Sequence, residues 1–265
     1  MTAAVQEPTA VVLSAPGTNR QHDAALALSY AGAKVRHVDV RDLDTQCDEV
    51  KNAQLIVVAG GFSYADALGS ARVFAMEMEQ RVGDVLQDKA AAGTAILGIC
   101  NGFQMLVRAG ILPGTPFGVA ALAHNEHGTF ECRWVNLEPV SNHCIWTRDV
   151  SMFTCPVAHG EGRFTCDEKT LAALRDADCI ALRYVTPDGE VAAGEYPVNP
   201  NGSVDDIAGV CNVNGNVLGM MPHPENHVLR RQGRALRGSD RKENAPDSGL
   251  ALELFRNGVE YARHS

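Results

Sequence analysis

"TAILGICNGFQMLVRAG", residues 94–110, decides how this chain is read. It opens on a short aliphatic run, sets Cys100 between Gly98 and Gly102, and continues with helical spacing up to Gly110. Strand, sharp turn and helix in that order form the unit of a parallel sheet. Such strands are covered on both faces and read as continuous aliphatic runs. The same unit recurs upstream. "TAVVLSAPGTN" (9–19) is a buried strand that turns at Pro16 and Gly17, and "QHDAALALSYAGA" (21–33) has helical spacing that stops at Gly32. "KVRHVDV" (34–40) and "AQLIVVAGG" (53–61) read as strands, and residues 70–93 as a helix closed by Gly93.

After residue 110 the character changes. "GTFECRWVNLEPV" (128–140), "IALRYVTPDGEVAAGEYPV" (180–198) and "DIAGVCNVNGNVLGMM" (206–221) read as longer strands joined by Pro-Asp-Gly, Asn-Pro-Asn-Gly and Asn-Gly turns. They imply antiparallel strands at the edge or over the end of the parallel core. "SGLALELFRNGVEYARH" (248–264) closes the chain as an amphipathic helix. The expected fold is one α/β domain over residues 1–265. It has a doubly wound, mainly parallel sheet, helices on both faces and an antiparallel β extension. Residues 1–9 are expected to be a flexible tail and 228–248 a loop.

Composition narrows the function. The chain has 265 residues, 45% of them hydrophobic, enough for a substantial core. A formal charge of −9 opposes a role as a general nucleic-acid binder. No apolar run reaches the ~18 residues of a membrane span. "MTAAVQEPTA" lacks the charged and apolar regions of a signal peptide, so a cytoplasmic protein is expected. Eight cysteines are present without a C-x-x-C pair, which fits reduced thiols and no structural metal site. Most of them read as small core residues.

In an α/β sheet, reactive groups gather where strands end and loops leave for helices. Cys100 stands at such a junction. G-x-C-x-G is the thiol version of a nucleophile elbow, in which flanking glycines permit the sharp turn. The helix N-terminus that follows stabilises a thiolate, and the Asn101 N–H falls where it can bind an oxyanion. The alternative is a buried cysteine filling a strand-to-helix turn.

A nucleophile needs a base. Of nine histidines, His223 in "GMMPHPENH" stands between two prolines, which disfavour a helical conformation there. In an extended segment His223 and Glu225 project to the same side. Cys100, His223 and Glu225 thus supply nucleophile, base and orienting carboxylate. Gly60 and Gly61 end a strand and leave backbone N–H donors for an oxyanion. No G-x-G-x-x-G fingerprint occurs there, so dinucleotide binding has no support.

"GICNGFQ" with "PHPE" far downstream resembles the class I (triad) glutamine amidotransferases. "GGFSYADALGSA" (60–71), "AHGEGRF" (158–164), "ALRYV" (181–185) and "YPVNPNGS" (196–203) are similar to one branch of them, the glutaminase component of phosphoribosylformylglycinamidine synthase. The resemblance implies that Cys100 attacks the side-chain amide of L-glutamine and that His223 serves as acid and base through a glutamyl thioester. Gly61 and Asn101 would form the oxyanion hole, with Gly60 and Gln104 in the glutamine pocket. The ammonia would pass to a synthase subunit that converts formylglycinamide ribonucleotide to its amidine in purine synthesis. ATP and Mg are expected on that partner, and no cofactor on this chain.

Ala65 stands where the branch usually has glycine, and Asn226 where it usually has arginine. Six basic residues between 230 and 242, interrupted by Gly233 and Gly238, suit a solvated loop or a docking segment. Other readings are another class I amidotransferase, a non-catalytic scaffold on the same fold, and a cysteine hydrolase. Hydrolases of that kind usually carry histidine directly after the cysteine, and this chain has Asn101.

Overall fold

The computed structural model describes residues 7–233 and 250–265. In chain order the first elements are β1 (Thr9–Ser14), α1 (Gln21–Tyr30), β2 (Lys34–Asp39), α2 (Leu43–Lys51), β3 (Leu55–Val58), α3 (Arg72–Ala91), β4 (Ala95–Ile99) and α4 (Asn101–Arg108). Then follow β5 (Ala120–Ala123), β6 (Glu131–Pro139), β7 (Phe153–His159), β8 (Arg163–Cys166), α5 (Glu168–Asp176), β9 (Ile180–Val185), β10 (Ile207–Cys211), β11 (Val217–Met220) and α6 (Leu252–His264). β5 and β8 pair with each other. The remaining strands form one sheet in the order β2-β1-β3-β4-β11-β10-β9-β6-β7.

From β2 to β11 every neighbouring pair is parallel, and from β10 to β7 every pair is antiparallel. β3 and β4 are buried at every position and β1 at nearly every one, as two-sided cover requires. α1 packs on α6, whereas α2, α3 and α4 pack in succession; both α4 and α6 reach β3 and β4. Each buried Val, Leu or Ile contributes roughly 1.5–3 kcal/mol, which fixes the strands from whose ends the functional loops leave. α6 closes against Trp146. An added Cβ at Gly258 would lie 2.2 Å from that ring, so only glycine permits the approach.

Three expectations change. Thr9 already belongs to β1, paired with Lys34, and the Pro8 carbonyl accepts the Lys34 N–H. The tail expected over 1–9 therefore ends before residue 8, and residues 1–6 lie outside the described ones. The hairpin read from "DIAGVCNVNGNVLGMM" forms, but its second strand is not part of the extension: β11 inserts beside β4 in parallel, with Met220 opposite Ile99. The Pro-Asp-Gly turn expected within 180–198 forms at Thr186–Gly189, but the strand expected beyond it does not: β9 ends at Val185, and Val191 makes an isolated bridge back to it. In the segment expected as a loop over 228–248, Arg230–Gln232 form one short 3-10 turn, while Arg234, Arg237, Arg241 and Lys242 lie outside the described residues.

β7 is the far edge of the sheet, yet the Pro156 carbonyl on it accepts the His223 N–H at 2.8 Å. Flat neighbouring strands stand about 4.8 Å apart, so this contact requires the antiparallel half to curl back over the ends of β4 and β11. That curl encloses the candidate site.

Candidate functional site

Cys100 is the residue between β4 and α4. Its N–H donates to the Met220 carbonyl at 2.8 Å, extending the β4–β11 ladder by one step. Its backbone sits at φ 50, ψ −106, a conformation that costs a non-glycine residue roughly 1–3 kcal/mol. Its neighbours enforce it. A Cβ on Gly102 would lie 2.0 Å from the Val58 carbonyl oxygen, and one on Gly98 would lie 2.6 Å from Leu106 Cδ1. Both flanking glycines are thus steric requirements of the elbow. The thiol is only 4% exposed, at the N-terminus of α4, with Sγ 3.9 Å from the Ala158 carbonyl.

His223 follows β11 and so emerges beside Cys100. Nδ1–H donates to Glu225 Oε1 at 2.6 Å, and Glu225 is fully buried. The pairing was expected, but its geometry differs. Pro224–His227 form a 3-10 turn, and only His223 itself, at φ −102 and ψ 87, lies outside the helical region. Proline suits the first position of such a turn and keeps the preceding residue out of it, so a tight turn, not strand alternation, brings the carboxylate to the ring. Burial opposes charge on His223. The negative charges on Glu225 and Cys100 and their hydrogen bonds outweigh it, and the imidazole pKa is raised to about 10. The arrangement favours a charged imidazolium beside the Cys100 side chain.

Gly60 fits against both groups: a Cβ there would lie 2.8 Å from His223 Cε1 and 3.3 Å from Cys100 Cβ. Gly61, at φ 142, is held between strand end and loop, where a Cβ would meet the Asn19 nitrogen at 2.6 Å. The N–H groups of Gly61 and Asn101 donate to no backbone acceptor among the described residues. Gln104 is buried one turn along α4. Its Nε2 donates to the Glu161 carbonyl and its Oε1 accepts from Asn101 Nδ2 at 3.1 Å, so its amide ties α4 to the 158–162 segment. A separate cavity of about 390 Å³ between α3, α4 and β5 touches Gln104 and Arg108 but neither Cys100 nor His223.

Sequence reasoning gave no chemical role to the two segments that complete the site. "AHGEGRF" supplies the Ala158 carbonyl beside the thiol and the buried ring of His159. "NPNGS" clamps it in place. Asn199 Oδ1 accepts the N–H groups of Gly202 and Ser203, while Asn201 Nδ2 donates to the Gly162 carbonyl at 2.9 Å. The paired glycines of the first stretch and the Asn and Gly of the second were the available signal, since such residues mark backbone-capturing turns. Ala65 has φ 54, the conformation glycine adopts without strain, which accounts for the usual residue there. Asn226 Nδ2 donates to Asp23 at 3.2 Å, tying the 3-10 turn to α1. Among the described residues no three His, Cys, Asp or Glu side chains converge as a metal-ligand set. Cys144, Cys155, Cys179 and Cys211 are buried free thiols.

The profile of a family described as "CobB/CobQ-like glutamine amidotransferase domain" matches residues 7–262. The chain is 44% identical to the phosphoribosylformylglycinamidine synthase subunit PurQ of Treponema denticola, covering 96% of this chain and 99% of that one. It is 37% identical to the PurQ subunit of Methanococcus maripaludis, over 96% and 97% of the two chains. The structure of PurLQS from Thermotoga maritima superposes with a TM-score of 0.72 at 32% identity, covering 97% of this chain and 99% of that chain.

Proposed function

The chain belongs to the CobB/CobQ-like glutamine amidotransferase family, and we propose that Cys100, His223 and Glu225 are its catalytic nucleophile, acid–base and orienting carboxylate. The chain is a glutaminase component of phosphoribosylformylglycinamidine synthase and supplies ammonia for a step of purine biosynthesis. It works with synthase subunits, as PurQ does in PurLQS. The observation that carries the residue roles is the meeting of a thiol on a strained elbow with a buried imidazole–carboxylate pair, each at the end of adjacent parallel strands.

The Cys100 thiolate attacks the glutamine side-chain carbonyl carbon, and the oxygen takes the negative charge. The N–H groups of Gly61 and Asn101 receive that oxyanion; a donor of this kind is worth roughly 3–4 kcal/mol in the transition state. Collapse of the intermediate breaks the C–N bond. The leaving nitrogen takes the proton from His223 and departs as ammonia, leaving a glutamyl thioester on Cys100. His223, now neutral and still oriented through Nδ1–H by Glu225, removes a proton from water, which attacks the thioester and yields glutamate. Gln104 and Gly60 shape the glutamine pocket, Gln104 by holding the 158–162 segment against α4.

ATP and Mg²⁺ act on the partner synthase; this sequence has no G-x-x-x-x-G-K-[ST] stretch to cradle phosphates. Residues 1–265 work as one amidotransferase domain, since a single core cluster joins elements of both sheets from β1 to α6. The cytoplasm is the expected compartment. Among the described residues no helix is long and apolar enough to cross a membrane. The test is ammonia release from glutamine with and without the synthase, ATP and formylglycinamide ribonucleotide. Release that rises with the synthase and disappears in Cys100→Ala supports the reading. A Cys100→Ala protein as active as wild type would refute the nucleophile.

A further inference from the structure

His159 is a buried, catalytically unassigned imidazole beside the reacting groups. It is 3% exposed, follows the Ala158 carbonyl that touches the Cys100 thiol, and lies within the electric field of His223. Asn125 determines its tautomer. The Asn125 Nδ2 donates to the carbonyls of Thr129 and His159, both at 2.9 Å, and Oδ1 accepts the Gly162 N–H at 3.1 Å. The amide orientation therefore has one solution, and His159 Nδ1, 3.0 Å from that same oxygen, must carry a proton and donate it. In the neutral ring the lone pair is then on Nε2, which is buried and has no hydrogen-bond partner among the described residues. Glu131, across the strand pair, does not claim it, because its carboxylate is engaged by His127 at 2.7 Å and Arg133 at 2.5 Å. An unused acceptor in such a place costs free energy unless a ligand supplies a donor.

We propose that His159 Nε2 accepts an N–H from the carboxamide nitrogen of bound glutamine, the atom that leaves as ammonia. The inference rests on the glutaminase reading and adds a substrate contact to it. Charge selects this donor over the α-ammonium group: a site beside the His223 imidazolium repels a second cation and admits a neutral N–H. Burial and the His223 charge hold the His159 pKa down to about 4, so the ring stays neutral at working pH. With Nδ1–H committed to Asn125, His159 accepts a hydrogen bond without donating a proton, and the released nitrogen remains uncharged NH₃, the nucleophilic form.

The test compares L-glutamine with L-glutamate γ-methyl ester, whose leaving oxygen has no N–H, on the assembled synthase complex. His159→Phe should lower kcat/KM for glutamine about tenfold and for the ester less than about twofold, and His159→Asn, which keeps an acceptor, should recover part of the loss. An equal fall for both substrates assigns His159 to structure alone and overturns the proposal, as does no fall for either. In the unliganded protein, nitrogen NMR shifts of His159 should report a neutral ring protonated on Nδ1; the opposite tautomer also overturns it. Cys100→Ala keeps the two readings separate. Turnover of both substrates by that variant would mean that the thiol mechanism, and not the His159 contact, has failed.

Discussion

Replacing Gly60 by alanine should disable the reaction while leaving the fold almost intact. Gly60 has no left-handed backbone, so alanine brings no conformational strain. The new methyl would lie 2.8 Å from His223 Cε1, 3.1 Å from the Ile99 carbonyl and 3.3 Å from Cys100 Cβ. Carbon atoms at rest stand roughly 3.5–4 Å apart, so the imidazole must retreat by about 0.7 Å or more. The Ile99 carbonyl belongs to β4 and yields little, which leaves His223 to move. A displacement of about 1 Å between reacting groups costs on the order of 100-fold in rate. Overpacking costs roughly 1–3 kcal/mol of stability, a loss of several degrees in Tm for a domain of this size. The expected signature is a roughly 100-fold fall in kcat/KM for glutamine at a temperature where the variant is fully folded. Ammonia release and thermal unfolding on one preparation measure both. Turnover within about twofold of wild type would refute the placement of Gly60 against the reacting pair.

Other outcomes follow from the same geometry. His223 has a folded pKa raised to about 10 from 6.5, so its stabilising contribution is complete below pH about 6.5 and is lost as pH rises through about 10. Glu225→Gln removes the anion that raises it. The variant's stability should therefore fall less than wild type's between pH 7 and 10 in denaturant titrations, and kcat should drop roughly 10²–10⁴-fold. Parallel stability curves for the two proteins would contradict the charge assignment. Gly258→Ala drives a Cβ into Trp146 at 2.2 Å and should cost roughly 1–3 kcal/mol without changing turnover per folded molecule. An unchanged Tm would show that α6 docks differently.

Local patterns carry much of this protein. Aliphatic runs at 10–13, 55–58 and 95–99 define the parallel half, because strands covered on both faces exclude polar alternation. G-x-C-x-G defines the elbow, since its glycines answer clashes that arise within the strand-turn-helix unit and its neighbour strand. The prolines around His223 bring Glu225 to the ring through a turn of a few residues. Apart from the contact of Gly102 with Val58, these features depend on atoms close in sequence and are legible there. The partner of each strand is not. β11 could have remained with the antiparallel strands that its turns suggest, and its insertion beside β4 alone brings His223 to Cys100. The edge strand β7 could have ended far away, and the curl of the sheet alone sets Pro156 against His223 and Ala158 against the thiol. Strand pairing is chosen by the total of buried surface and satisfied hydrogen bonds over the whole chain, a sum that no local window contains. The sequence by itself therefore determined which groups could react, and the tertiary structure decided that they meet.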